Sequence, residues 1–193
     1  MPSAYAHYRF GRQVCPLLDS AGQRTILSRP EPFLIGLHGP DIFFYHHPLG
    51  SSAVKQMGHR MHAESAEAFF RPAADRLALH LDRQAGLSYL YGFLCHFALD
   101  SVCHPYVEAQ VKRTRFAHME LEAEFDRILM IHDGLNPLSH FPAGHIIPSL
   151  RNAAAIAPFF PSVTAGQIQD TLQSMLICNR LLLAPDLPKR LLI

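Results

Sequence analysis

The stretch at residues 89–108, YLYGFLCHFALDSVCHPYVE, combines an apolar helical pattern with regularly spaced polar side chains. Its apolar residues recur at helical intervals, which predicts a buried helix. His96, Asp100 and His104 are spaced four apart and therefore lie along one side of that helix. Because a proline disfavours helical geometry at the preceding residue, Pro105 predicts that His104 sits at the helix end. An aspartate in an apolar helix is costly unless it is paired, and a metal ion is one such partner.

The rest of the chain predicts an all-α protein. We find no convincing β-strand alternation, and the helical segments indicate a bundle of about six to eight helices. Ser3 is a plausible N-cap of the first helix, residues 51–71 predict one helix with Ser51 or Ser52 as its cap, and Pro72 fits the first turn of the next. A proline-rich loop follows Gly134, and Thr164 begins the last helix with a capping box to Gln167.

Length and composition narrow the class of protein. The 193 residues predict a single domain, with a metal-site helical core at 1–134 and a C-terminal loop and packing helix at 135–193. The formal net charge of +1 gives no field that favours nucleic acid or an anionic membrane. The chain has 13 histidines beside 17 lysines and arginines, and this surplus of histidine favours metal ligation or proton chemistry.

Cysteine usage and the start of the chain predict a cytoplasmic protein. The cysteines have no CxxC spacing and are expected to be reduced: Cys15, Cys95, Cys103 and Cys178. The segment MPSAYAHYRFGRQV carries charge and aromatic residues where a signal peptide has an apolar core. We find no apolar stretch long enough to span a bilayer.

Two predicted helices each carry a histidine and an acid at i, i+4, namely His96 with Asp100 and His118 with Glu122. This spacing is how helix bundles supply metal ligands to their interior. Asp41 follows the turn at Gly39-Pro40, which could present its carboxylate. Taken singly, an exposed pair of this kind is usually solvated and Asp41 could cap a helix. Taken together, these residues favour a metal site.

The order of four segments, GPDIFFY, GHRMH, YGFLCHFALDSVCHPYVE and HMELE, resembles the zinc-dependent phospholipase C family. The similarity extends from His7 to Glu122. It implies an all-α multi-helix bundle of the type shared with zinc-dependent single-strand nucleases. Because those nucleases use a similar set of ligands, the fold does not by itself fix the substrate.

The resemblance implies two or three zinc ions, with iron or manganese as possible replacements. The first site would use Asp41, His62, His96 and Asp100, with His59 as the alternative to His62. The second site would use His104, His118 and Glu122. A third would bring in His7, with Asp100 bridging two metals. By the same resemblance, Asp41 is the catalytic residue that orients or deprotonates the attacking water.

Close metal ions can activate a water and bind a phosphoryl group, so the chemistry is phosphoester hydrolysis. We predict an enzyme, a zinc-dependent phosphodiester hydrolase of phospholipase C type. The alternatives are a single-strand nuclease or nucleotide phosphatase, a catalytically inactive metal-binding protein, and a helical interaction domain. The chain has no tryptophan and no aromatic stripe interleaved with basic residues, which weakens the nucleic-acid hypothesis.

Two segments could help to select the substrate, and each also has a purely structural interpretation. The stretch IFFYHH after Asp41, together with Phe69 and Phe70, could line an apolar mouth for phospholipid or pack in the core. The basic stretch VKRTR at 111–115 could attract phosphate or lipid headgroups or form a solvated turn. No helix has a clear cationic face, so neither a dedicated docking helix nor stable membrane insertion is predicted. His140 and His145 are expected to be surface residues or loop anchors.

Overall fold

The structure is a computed structural model that describes residues 4–114, 116–185 and 189, and this part of the chain is helical without β-strands. It has nine α-helices: α1 Ala4–Val14, α2 Ser20–Ser28, α3 Pro30–Gly36, α4 Ala53–Ala63, α5 Ala66–Ala78, α6 Arg83–Arg113, α7 His118–His132, α8 Leu150–Ile156 and α9 Ala165–Leu181. Short 3-10 helices cover Cys15–Leu17, Gly39–Tyr45 and Ala157–Phe159. The all-α prediction is confirmed, while the predicted cap Ser3 lies outside the described residues.

The long helix α6 is the centre of the fold, and α1, α2, α3, α5, α7 and α8 all contact it. The backbones of α6 and α3 are in direct contact at two glycines, Gly92 and Gly36. A Cβ at Gly92 would lie 2.1 Å from the carbonyl oxygen of Phe33, and one at Gly36 would lie 2.3 Å from that of Tyr89. This close approach brings the chain that follows α3 directly against the middle of α6.

The larger hydrophobic core lies under the 3-10 helix Gly39–Tyr45. Ile42 and Phe43 are fully buried in it. Much of the remainder comes from the C-terminal third: Ile146, Ile156, Phe159, Phe160, Ile168, Leu172 and Met175. Residues after 134 therefore support the segment that carries Asp41.

The prediction that His104 ends its helix is wrong, because α6 continues through Pro105 to Arg113. A proline inside a helix leaves one carbonyl, here that of Ser101, without its helical partner. Ser101 and Pro105 are both exposed, so water can reach that carbonyl. His104 consequently keeps the same face as Asp100.

The predicted boundaries around residues 51–78 also need correction. The single helix expected there is two, because the chain becomes extended at Glu64 and α5 begins after Ser65. Pro72 lies inside α5 rather than in a first turn. Helix α8 was not predicted, and the nine helices exceed the expected number. The predicted cap at Thr164 is confirmed, and of the two serines predicted as alternatives the structure has Ser52 as the cap of α4.

None of the helices within the described ranges has the length and apolarity needed to cross a bilayer. The cytoplasmic location and the division at residue 134 stay predictions. The four cysteines, Cys15, Cys95, Cys103 and Cys178, are free, as expected.

Tyr89 gives a direct test of the packing around α6. It has no exposed surface, and its hydroxyl has no hydrogen-bond partner among the described residues. Since a buried hydroxyl without a partner loses its hydration, Tyr89→Phe should leave the free energy of unfolding unchanged or raise it by about 1 kcal/mol. Urea denaturation would measure the change.

Tyr45 is the matched control for that substitution. It is also buried, but its hydroxyl accepts a hydrogen bond of 3.3 Å from Asn179. We expect Tyr45→Phe to lower stability by about 1 kcal/mol. An equal loss for Tyr89→Phe would show that the Tyr89 hydroxyl has a partner after all.

Candidate metal centre

The carboxylate of Asp100 lies at the centre of a cluster of histidines. His7 on α1 places its Nε2 atom 3.2 Å from Oδ1, and His96 on α6 places Nε2 3.1 Å from Oδ2. His104, one turn further along α6, has Nε2 3.6 Å from Oδ1. The rings of His7 and His96 are buried and stack with centroids 4.3 Å apart. One carboxylate therefore faces three imidazoles.

Asp41 reaches the cluster because of the turn at Gly39. This residue has φ +48°, and a Cβ there would lie 2.2 Å from the His96 ring. Only glycine takes up this backbone without strain and also lets the turn lie against the imidazole. Asp41 is 3 % exposed, and its Oδ2 atom lies 3.8 Å from Nδ1 of His96.

His62 completes the group around Asp41. Its Nε2 atom lies 2.6 Å from Oδ1 of Asp41, and its Nδ1 atom donates to the carbonyl of Gly58 at 2.8 Å. That second hydrogen bond fixes the ring and leaves Nε2 available as a ligand. His59 and His62 both stack on Phe44 and are both exposed, so the contact of His62 with Oδ1 shows that the structure brings His62 rather than His59 to Asp41.

The third group is the most open and joins α6 to α7. His118 begins α7, and its Nε2 atom lies 2.7 Å from Oε1 of Glu122. His104 lies 3.7 Å from the same oxygen. The side chain of His118 is 39 % exposed, whereas that of Glu122 is 11 % exposed.

The electrostatics favour an ionised Asp100. Burial by itself would raise the pKa of its carboxyl, but hydrogen bonds from His7 and His96 hold that pKa well below its ordinary range. For His96, burial lowers the pKa, and the charges of Asp41 and Asp100 more than compensate and raise it. The centre thus holds negative charge among imidazoles before any cation binds.

The residues present fit a divalent cation. Three groups have candidate ligand atoms within 4.8 Å of one another: His7, His96 and Asp100; Asp41, His62 and His96; His104, His118 and Glu122. Oδ2 of Asp41 and Nδ1 of His96 are buried and face each other, and neither has a hydrogen-bond partner among the described residues. Imidazole nitrogen with carboxylate oxygen is a ligand set that suits zinc.

A family model described as zinc dependent phospholipase C matches residues 6–158. The chain belongs to the zinc dependent phospholipase C family. The match includes every candidate ligand, from His7 to Glu122, and family membership points to a metal-dependent phosphoesterase. Searches of the curated proteins and of the solved structures found no significant match to the chain.

The structure therefore brings together all eight residues that the sequence analysis predicted as metal ligands. The alternative residue, His59, is not among them. Their role as ligands, and that of Asp41 in catalysis, stay predictions. The residues that support them were not predicted.

Asp126 on α7 holds the start of α1, and the sequence analysis missed it. Its two carboxylate oxygens accept the backbone N–H groups of Tyr5 at 2.9 Å and Ala6 at 2.7 Å. These N–H groups belong to the first turn, where a helix has no internal acceptors for them. His7 is the next residue, so Asp126 fixes where that imidazole enters the centre. Its position four residues after Glu122 was the available signal.

A second support, also not predicted, lies behind the Gly39 turn. His38 is buried, and its Nε2 atom lies 2.8 Å from Nε2 of His145 in the loop after α7. The ring of His145 stacks on Tyr8 at 4.2 Å. His145 is thus a loop anchor, which was one of the two roles expected for it. The C-terminal third contacts the residue that precedes the Gly39 turn.

This histidine pair predicts a loss of stability in acid. Burial lowers the pKa of His145 from its ordinary 6.5 to about 4, and burial lowers the pKa of His38 as well. The unfolded chain therefore takes up protons at higher pH than the folded chain. The stability that these groups contribute is complete above about pH 6.5 and falls as the pH drops to about 4.

In metal-free protein, His145→Gln should reduce the acid-induced loss in the free energy of unfolding by about 2 kcal/mol. Urea denaturation at several pH values would measure this loss. The metal-free form is used so that acid release of metal does not contribute. His59→Gln, at an exposed position, is the control. An identical pH dependence in the His145 variant would contradict the assignment.

A cavity of about 320 Å³ opens beside the centre. His62, His96, Asp100 and His104 form part of its wall. Its apolar lining residues are Pro40, Met61, Ala66, Phe69, Phe93, Phe97 and Pro105, and its acids besides Asp100 are Glu64 and Glu108. None of the described lining residues is Lys or Arg. Phe69 thus lines the cavity and also packs against the core, while Ile42 and Phe43 belong to the core.

Proposed function

We propose that this protein hydrolyses phosphodiesters, with phospholipids as the favoured substrates, at a centre of two or three zinc ions. The observation that supports this most is the convergence of three histidine–carboxylate groups beside one cavity, to whose lining each group contributes at least one residue. The ligands would be His7, Asp41, His62, His96, Asp100, His104, His118 and Glu122. The same nitrogen and oxygen atoms would also accept iron or manganese.

Zinc bound at these residues would polarise the phosphoryl group and lower the pKa of a water. In hydrolysis the oxygen of that water bonds to phosphorus, the bond to the leaving alcohol breaks, and the alcohol takes up a proton. The chain's own task is to position these groups. Asp100 fixes the rings of His7 and His96 through their Nε2 atoms.

Asp41 is the proposed catalytic carboxylate. One of its oxygens is held by His62 at 2.6 Å, and the other is buried without a hydrogen-bond partner among the described residues. An acceptor oxygen in that state can orient a water or take its proton. The turn at Gly39 holds it there, so little reorganisation is needed at the moment of reaction.

The cavity favours a lipid phosphodiester over a nucleic acid. Aromatic and aliphatic side chains, among them Phe69 and Phe97, can pack against apolar parts of a substrate. Glu64 and Glu108 would repel the successive phosphates of a nucleic-acid strand, and no cation among the described lining residues offsets them. This supports the phospholipase hypothesis over the nuclease alternative.

Two measurements test the proposal, both on untagged protein that has never been exposed to a chelator. Elemental mass spectrometry should find about two or three zinc ions per chain, with at most one for each of the three ligand groups. A panel containing a monomeric short-chain phosphatidylcholine and a single-stranded oligonucleotide should then show hydrolysis of the lipid alone. Cleavage of the oligonucleotide alone would establish the nuclease, and full zinc without turnover of either would favour the inactive metal-binding protein. Absence of metal that added zinc does not restore would contradict the proposal outright.

A further inference from the structure

The imidazole of His7 lacks the second hydrogen bond that fixes the ring of His62. Nδ1 of His62 donates to the carbonyl of Gly58, whereas Nδ1 of His7 is buried without a hydrogen-bond partner among the described residues. Metal-binding histidines usually use the second ring nitrogen in this way, which orients the ring. The contacts of the His7 ring include its Nε2 atom 3.2 Å from Asp100 and its stack on His96. Where this ring lies therefore depends strongly on the backbone of α1.

That backbone is held by one buried carboxylate of α7. Asp126 accepts the N–H groups of Tyr5 at 2.9 Å and of Ala6 at 2.7 Å. Groups in the first turn have no acceptor inside the helix, and a negative charge is favourable at this end. Ala6 directly precedes His7, so the carboxylate fixes the chain at the point where the imidazole leaves it.

A second carboxylate of α7 joins the same two helices in a different way. Asp133, at the end of α7, accepts hydrogen bonds from Nε of Arg9 at 2.6 Å and from the hydroxyl of Tyr5 at 2.8 Å. These bonds come from side chains, and Asp133 is 25 % exposed. Both acids thus attach α1 to α7, but it is Asp126 that holds the backbone beside His7.

Helix α7 also carries a candidate ligand next to this support. Glu122 and Asp126 are four residues apart and both are buried, so they lie on one face of the helix. Glu122 belongs to the group that it forms with His104 and His118. One face of α7 therefore supplies a ligand to one group and supports the backbone that carries His7.

We propose that Asp126 is a positioning residue that sets the metal affinity of the group His7, His96 and Asp100. It acts through the backbone of α1 and the imidazole of His7, and not as a ligand itself. Of the three ligand groups found in the described part of the chain, only this one contains a residue of α1. Loss of Asp126 should therefore weaken one group and spare the other two. The inference rests on the zinc centre of the proposed function.

Zinc titration of the metal-free full chain tests the inference. Asp126→Asn keeps the size of the side chain but replaces one acceptor oxygen by an NH₂ group, which cannot accept a backbone N–H. We expect one zinc equivalent to bind at least about tenfold more weakly, while the others keep their affinity. Asp133→Asn is the matched control. It should lower the melting temperature, because it loosens the same pair of helices, and leave zinc binding unchanged.

Amide hydrogen exchange, measured by NMR, tests the same link without any change to Asp126. If the capped backbone strengthens zinc binding at His7, zinc must by reciprocity strengthen the cap. Added zinc should therefore slow exchange of the Tyr5 and Ala6 amides at least about tenfold in the unaltered chain. This slowing should be absent in His7→Gln, which keeps the carboxylate cap and the other two ligand groups.

A double-mutant cycle separates positioning from a general loss of structure. His7→Gln should weaken one zinc equivalent, as Asp126→Asn does. Because both changes act on the same group, adding Asp126→Asn to His7→Gln should weaken zinc binding no further. A further loss in the double variant would show that Asp126 does not act through His7 and would overturn the inference, as would unchanged zinc affinity in Asp126→Asn.

Failure of this inference is distinguishable from failure of the proposed function. If His7→Gln binds zinc like the unaltered chain, the His7 group holds no metal and Asp126 has nothing to position. The other two ligand groups would still support a hydrolytic centre. Absence of zinc from the unaltered chain would contradict the proposed function and this inference together. None of these measurements requires hydrolytic turnover.

Discussion

Asp100→Asn is expected to remove bound metal and hydrolytic turnover together. The carboxylate faces imidazole nitrogens of His7, His96 and His104 at distances of 3.1 to 3.6 Å, so all three lose their shared anion. An asparagine would offer one neutral oxygen and direct N–H groups at rings that need an acceptor. We expect zinc affinity and kcat/KM to fall by more than about a hundredfold, beyond the usual effect of changing a residue that only supports a ligand.

Zinc content by elemental mass spectrometry and turnover of a monomeric phosphodiester would be measured on the same preparation. Asp75→Asn, at an exposed position on α5, is the matched control and should change neither. Full metal content with lost turnover would make Asp100 a catalytic group rather than a ligand. Unchanged metal and turnover would remove it from the site.

Gly39→Ala should damage both the fold and the centre. The backbone there has φ +48°, which costs an alanine roughly 1 kcal/mol. The added methyl would also lie 2.2 Å from the His96 ring, which is buried and cannot move aside cheaply. We expect a total loss of about 3 kcal/mol in the free energy of unfolding. Because His96 belongs to two of the candidate ligand groups, zinc affinity should fall as well.

Gly134→Ala separates these two causes. Gly134 also has a positive φ, of +75°, but a Cβ there would meet nothing within 4 Å. It should cost about 1 kcal/mol and leave zinc binding unchanged. Urea denaturation and zinc titration would compare the two variants. Equal losses at both positions, with normal zinc binding, would show that the Gly39 turn does not depend on contact with His96.

The local signals predicted the parts of this protein that depend on neighbours in the chain. Helical periodicity gave the all-α class, and hydroxyl residues marked the caps at Ser52 and Thr164. Proline was less reliable. Pro105 and Pro72 both lie inside helices, because each removes only one backbone donor and the surrounding helix tolerates that loss where the chain is exposed or half-buried.

The candidate ligands could be proposed from the sequence because the spacing of histidines and acids along a helix shows which of them share a face. His96 and Asp100 share a face of α6, as His118 and Glu122 share a face of α7, through helical geometry alone. The choice between His59 and His62 could not be made that way. Both lie on α4, and only the path of the chain through Gly39 decides which one meets Asp41.

What the sequence by itself determined is the all-α class and the helix faces on which acids and histidines lie. What only the tertiary structure decided is how those faces meet. The glycine contact between α3 and α6 places Asp41 against His96, and Asp126 places α1 so that His7 reaches Asp100. The pair of His38 with His145 depends equally on residues far apart in the chain. Helical periodicity acts over a few residues, whereas packing joins segments that no local pattern relates.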